Sequence, residues 1–400
     1  MVLSISLSNY KKRIENVRQQ LQSRNLDALF LLHPINIQYM SGFWHVPTER
    51  PTGLLIPLEG DLRMLTCKLE EANIRDRSPW IRCETLYFDY PGDKHPFVAF
   101  AEALVGWGYS GKRIGVDQGV FQSWNLTFEK STPLEVAKSK LKDTEMVPAR
   151  EIIDSMRLIK DGEEISILKE CVRWGNLAMS ILQELIQPGV SEAEVSLRAE
   201  YEASKVMLKA MPPLFEPYAY GSGPAHVFLK CGPRAMLSHR NPSNRKIQRG
   251  DVIYSNASGN IYGYSDELER TIIVGQPTSD QKRYFEVALE AQERAFEAFK
   301  PGASCSSVDR AAREVFKREG LMQYVIHHTG HGRGVGARHE PPFLDIGDLT
   351  IMQPNLEFSA EPKIHVPTIG SFGHSDTIMV TEDGHEVVTY YPRDLVSLIV

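Results

Sequence analysis

The chain has 400 residues, 42 % hydrophobic and 24 % charged, with a formal net charge of −6. That is the balance of a globular protein with room for two or three domains. It has neither the basic run that tracks nucleic acid or an anionic membrane surface nor an apolar stretch near the roughly 18 residues of a membrane span.

Residues 10–25 place Ile14, Val17 and Leu21 on one helical face, the spacing of an amphipathic helix. Leu26 to His33 reads as a buried strand running into a turn at Pro34. Gly53–Pro57, Asp61–Thr66 and Arg113–Asp117 continue a strand–turn–helix alternation, which predicts an α/β N-terminal domain. A second composition starts near residue 150. Glu151–Lys160 predicts a linker helix, Asp161-Gly162 a turn, and Ile165, Leu168, Val172 and Leu177 a long amphipathic helix. Pro188-Gly189 and Pro301-Gly302 each end one helix and lead to another, capped by Ser191 and Ser306. The match points to an internal duplication of a helix–turn–helix–strand unit.

The N-terminus lacks a basic region followed by a sustained apolar core, so it does not read as a secretory signal. Cys67, Cys83, Cys171, Cys231 and Cys305 are an odd, scattered set with no CxxC pair. They are expected to be reduced thiols in a cytoplasmic protein.

Three later stretches carry candidate chemistry. Val252–Asn256 is strand-like, Gly259-Asn260 reads as a two-residue turn, and Ile261–Tyr264 returns. Such a hairpin lets Asn256 share a pocket with Glu267 or Glu269. On alternation alone, solvated strand positions are the plainer reading of the two glutamates. His327, His328, His331 and His339 crowd a glycine-rich loop, although the whole chain has only 12 histidines. Glycines at 330, 332, 334 and 336 let backbone approach a ligand closely. His331 and His339 are the functional candidates; His327 and His328 read as packed or surface residues. Glu361, before Pro362 in an apolar strand, is a candidate buried carboxylate needing a cationic or hydrogen-bonding partner. His239, before a turn, would ordinarily be structural.

These segments, together with Asn36–Phe43, Met156–Ile165 and Val380–Gly384, resemble the pita-bread metallopeptidase family, which includes methionine aminopeptidase, prolidase and creatinase. The resemblance covers most of the chain. It implies an α/β creatinase-type N-terminal domain over 1–155, followed by an α+β pita-bread catalytic domain over 156–400. Metal-binding members use two Asp eleven residues apart, a His in GHG, a Glu before Pro, and a final Glu. Those positions fall on Asn256, Glu267, His331, Glu361 and Ser375 here. With the first and last acids gone, no metal and no other cofactor is expected.

The metal-free member, creatinase, is similar at Leu268-Glu269-Arg270-Thr271 and at His239. That resemblance implies proton transfer by His239, a cation grip by Glu269 and Glu361, and water orientation by His331 and His339. It also implies a homodimer in which Arg50 reaches the neighbouring subunit's site, and Glu267, Arg338 and His374 are expected to contact the substrate beside it. Thr48 and Ser265 depart from the creatinase pattern, and the Arg expected after His331 is missing unless Arg338 substitutes. The function expected on these grounds is metal-independent hydrolysis of an amidine- or guanidine-type C–N bond in a small zwitterionic carboxylate. The alternatives are a metal-dependent Xaa-Pro dipeptidase or aminopeptidase, or a lyase acting on a sulfonium or ammonium zwitterion. A non-enzymatic binding module stands behind them. A small-molecule substrate, no nucleic acid and no membrane complete the expectation.

Overall fold

The computed structural model describes residues 4–45, 47–90, 92–117, 131–217, 223–238, 240–336 and 339–400, with the main chain alone over 131–134. The chain divides into two compact units, Ile5–Arg157 and Leu158–Val400. Among the described residues, no helix is long and apolar enough to cross a membrane. All five cysteines are free thiols.

The N-terminal unit is built on a mixed six-stranded sheet. Its strands lie in the spatial order Arg82–Tyr87, Arg63–Cys67, Gly53–Pro57, Ala28–Leu31, Arg113–Val116, Glu145–Pro148. Ala28–Leu31 is buried throughout, pairing antiparallel with Gly53–Pro57 and parallel with Arg113–Val116. A strand covered on both faces reads as a continuous apolar run, as Ala28 to Leu32 does. Helix Leu7–Ser23 buries Ile14, Val17 and Leu21.

The C-terminal unit repeats one order twice, a helix pair followed by antiparallel strands. Helices Gly162–Leu185 and Glu192–Ala210 precede strands Ala225–Cys231, Val252–Ile261 and Leu268–Ile273. Helices Ser279–Ala298 and Cys305–Arg318 precede Gly330–Gly332, Glu340–Leu344, Glu357–Ala360 and Asp376–Val380. An isolated bridge between Glu269 and Ser375 joins the two sheets, and the candidate site lies around it.

Local chemistry explains these elements. Asp161 and Glu164 form a reciprocal capping box on helix Gly162–Leu185, satisfying amides that the helix itself leaves unpaired. The helix buries Ile167, Leu168, Cys171, Val172, Met179 and Leu182 against the sheet. Truncating Ile167, Leu168, Met179 or Leu182 to Ala costs about 2–5 kcal/mol.

Two expectations are corrected. Strand Val252–Ile261 runs straight through Gly259-Asn260, and the chain turns instead at Tyr262-Gly263, both with positive φ (50° and 83°). Gly259 is needed for close approach, since a Cβ there would lie 2.6 Å from the Cys171 carbonyl oxygen. Ser306 sits inside helix Cys305–Arg318, and Ser304 holds the N-cap position.

Candidate active site

The site is assembled on neighbouring strands. Asn256 lies directly across the ladder from Glu269, and its Nδ2 donates to Glu269 Oε1 at 3.3 Å. The Tyr254 hydroxyl donates to the same oxygen. Glu361 follows strand Glu357–Ala360, and Lys363 opens strand Lys363–Val366. The ammonium of Lys363 ion-pairs with Glu269 Oε2 and lies 2.5 Å from Glu361 Oε2. All three side chains are buried. Single ligand oxygens from Glu267, Glu269 and Glu361 fall within 4.8 Å of one another.

Strand Gly330–Gly332 carries His331 into the cluster, with no exposed surface. Its Nε2 lies 3.5 Å from Glu267 Oε2 and 3.6 Å from Glu361 Oε1. Its Nδ1 lies 3.1 Å from the Gly332 carbonyl, an acceptor that only an N–H can satisfy. The assigned tautomer therefore leaves a lone pair on Nε2. Burial, reinforced by Arg333 and His339 against the pull of Glu267, lowers this imidazole to about 3, so it is neutral. Nε2 finds no hydrogen-bond partner among the described residues. A lone pair facing two carboxylate oxygens is an arrangement that an interposed cation or proton would relieve.

Glu267 Oε2 receives Arg333 Nη1 at 2.5 Å. Three buried carboxyl groups thus meet the guanidinium of Arg333 and the ammonium of Lys363, which Glu269 and Glu361 share. Burial, with Glu269 and Glu267 nearby, pushes the Glu361 carboxyl upward against the pull of Lys363. Lys363 retains its proton because two carboxylates outweigh the cost of its burial.

Of the residues expected at a site, the structure brings Glu267, Glu269, His331 and Glu361 together. His339 is exposed, its ring stacked on His331 at 4.0 Å between centroids. His374 is instead packed in the core, 5.0 Å from the Phe285 ring, with the Thr271 amide 3.5 Å from Nδ1. Arg50 belongs to the N-terminal unit, where Asp89 and Glu49 engage its guanidinium. His239 and Arg338 lie outside the described residues.

Ser375, at the position of the missing final acid, has its Oγ 2.6 Å from Ser359 Oγ. Lys363, Tyr254 and Arg333 were not anticipated. Lys363 had a signal: two residues after Glu361 along an extended chain, it returns to the same face. Arg333 lies two residues after His331, so an arginine does follow that histidine, nearer than Arg338.

Residues 166–382 match metallopeptidase family M24, and residues 13–159 match the creatinase/prolidase N-terminal domain. The chain is 28 % identical to the Xaa-Pro dipeptidase of Pyrococcus furiosus over 388 residues, 96 % of this chain and 99 % of that protein. It is 31 % identical to the Xaa-Pro dipeptidase of Pyrococcus horikoshii over 275 residues, 68 % of this chain and 75 % of that one. The solved prolidase of P. horikoshii superposes with a TM-score of 0.79 at 26 % identity, covering 96 % of this chain and 99 % of that one.

These relatives overturn the expectation of a metal-independent enzyme acting on amidine-type C–N bonds, because they are named for cleaving peptides. The pita-bread fold is shown by the same matches. The chain belongs to metallopeptidase family M24, with a creatinase/prolidase-type domain preceding the catalytic one.

Proposed function

We propose that this protein is a peptidase that hydrolyses the bond preceding proline in short peptides, Xaa-Pro dipeptides foremost. The observation carrying the proposal is similarity to Xaa-Pro dipeptidases along 96 % of the chain. The buried cluster of His331, Glu267 and Glu361 supports it.

A metallopeptidase implies divalent ions, and the donor set can be tested for them. Two ions do not fit: Asn256 and Ser375 offer neutral atoms at two of the acid positions, and the ammonium of Lys363 occupies the space between Glu269 and Glu361. One ion fits. His331 Nε2, Glu267 and Glu361 would hold it, a neutral imidazole with two carboxylates being an ordinary donor set. When bound, such an ion polarises a carbonyl and acidifies water.

The chain's own groups supply the rest. Glu361 turns one oxygen toward His331 and gives the other to Lys363 Nζ, so that it serves as an ion ligand fixed by an ammonium. The exposed ring of His339 is the group offered to an oxyanion. Arg333 and the Gly332 carbonyl keep Glu267 and His331 in place. A cytoplasmic location, a homodimer with Arg50 directed at a substrate carboxylate in the neighbouring copy, and substrate-side roles for His239 and Arg338 belong to the same proposal.

The test is proline release from Gly-Pro and Ala-Pro by purified protein, after chelation and resupply of Mn2+, Co2+ or Zn2+. Proline release that falls roughly a hundredfold in Glu361→Gln is expected, because an amide is a poor ligand for the ion. No proline release with any of the three ions, or full activity in Glu361→Gln, would reject the reading.

A further inference from the structure

Glu361 presents its two oxygens to two different places. Oε1 lies 3.6 Å from the lone-pair nitrogen of His331, while Oε2 lies 2.5 Å from Lys363 Nζ. A carboxylate placed this way bridges two cation positions, of which the structure fills one with its own ammonium. The separations on the other side suit an ion. Bonds of about 2.1 Å to one tetrahedral ion space its ligands about 3.4 Å apart, and His331 Nε2 stands 3.5 and 3.6 Å from Glu267 and Glu361 oxygens. The carboxamide oxygen of Asn256 is also buried with no hydrogen-bond partner among the described residues.

From this arrangement we infer that Lys363 is a resident cation that takes the place of a second metal ion, so that the site is built for one divalent ion beside one ammonium. The inference rests on the peptidase reading only for the presence of a metal. Glu269 is then the counter-charge of Lys363 rather than an ion ligand, and Tyr254 and Asn256 satisfy its other oxygen. An ammonium is the right substitute because it carries one charge and three donors, and Nζ meets Glu269, Glu361 and, at 5.1 Å, the face of the Tyr254 ring. A second divalent ion would need the anionic ligands that Asn256 and Ser375 no longer provide. The ammonium needs none of them.

The experiment counts ions bound to the full-length protein, chelated and then titrated with Mn2+, by calorimetry and by elemental analysis after desalting. One Mn2+ per chain is expected in the wild type, loss of that ion in His331→Ala, and a second, weaker ion in Lys363→Met, where Glu269 and Glu361 are released. Two ions or none in the wild type would overturn the inference, as would one ion in a folded Lys363→Met. Should Lys363→Met not fold, the wild-type count and Glu269→Gln still decide: the glutamine variant keeps one ion if Glu269 serves only the ammonium and loses it if Glu269 is a ligand. Ion counts do not depend on peptide cleavage, so their failure is separable from failure of the proline-release assay.

Discussion

Arg333 and Glu267 form a buried ion pair, Nη1 lying 2.5 Å from Oε2, with almost no solvent contact on either side chain. The guanidinium is held on its other edges as well. Nε and Nη2 donate to the Ser265 carbonyl, and Nη2 also donates to Ser265 Oγ and the Asp266 carbonyl. Removing it takes away the guanidinium paired with a buried carboxylate. Arg333→Met is expected to lose about 3–5 kcal/mol of stability. Arg333→Lys should recover little, because one ammonium cannot span acceptors arranged for a planar fork. Urea unfolding of both variants is the check, and a loss under about 1 kcal/mol in the Met variant would show that the pair contributes nothing net.

A second buried carboxylate predicts a pH dependence. Burial, with a smaller push from Glu340 and against Lys160 and Arg333, raises Glu357 to about 7. Neither of its oxygens has a hydrogen-bond partner among the described residues. The folded-state value lies above the ordinary 4.5, so the folded protein binds this proton more tightly than the unfolded chain. Stability from this group is complete below about 4.5 and is lost as pH rises to about 7, by up to about 3 kcal/mol. Glu357→Gln stays neutral throughout. Its melting temperature should therefore gain on the wild type between pH 4.5 and 7 and hold that gain above. A difference that stays constant across this range would refute the shift.

How much of this was legible in the sequence depends on whether the cause was local. Ile14, Val17 and Leu21 are buried as their spacing predicts, because a helical stripe is a property of the segment itself. Asp161, expected only as part of a turn, is the N-cap of the next helix. The turn was misplaced because Gly259 serves packing under helix Gly162–Leu185, a tertiary demand invisible along the strand. Tyr262, a residue rarely found at positive φ, gave no turn signal at all.

The same division holds at the site. Asn256 and Ser375 showed in the motif that two acids were gone. The charge compensating for them was harder to see, because Lys363 acts across strands on Glu269, ninety-four positions earlier in the chain. Reading a motif for missing ligands finds subtractions; an added cation has to be looked for by face and alternation.

Glu192 offers the last prediction, outside the cluster. It has no exposed surface, and it opens helix Glu192–Ala210, where the helix dipole favours a negative charge. Its carboxylate accepts from the Cys231 amide at 2.9 Å, the Ser243 amide at 2.8 Å, Ser243 Oγ at 2.7 Å and Arg234 Nε at 3.0 Å. These bonds tie the helix to the end of strand Ala225–Cys231 and to the loop that follows it. Burial pushes the carboxyl up, but the bonds from Cys231, Ser243 and Arg234 outweigh it and hold the group below its ordinary value of 4.5. A depressed value means that the stabilisation is present above about 4.5 and disappears as pH falls through the lower, folded-state value. Glu192→Gln is expected to cost about 2–4 kcal/mol at pH 7, since an amide in place of the carboxylate leaves several donors poorly matched. The cost should shrink below pH 4.5, where the wild type loses its own advantage. Chemical denaturation at pH 7 and pH 3.5 measures both, and an equal cost at the two values would mean that packing, and not the charge, is what Glu192 contributes.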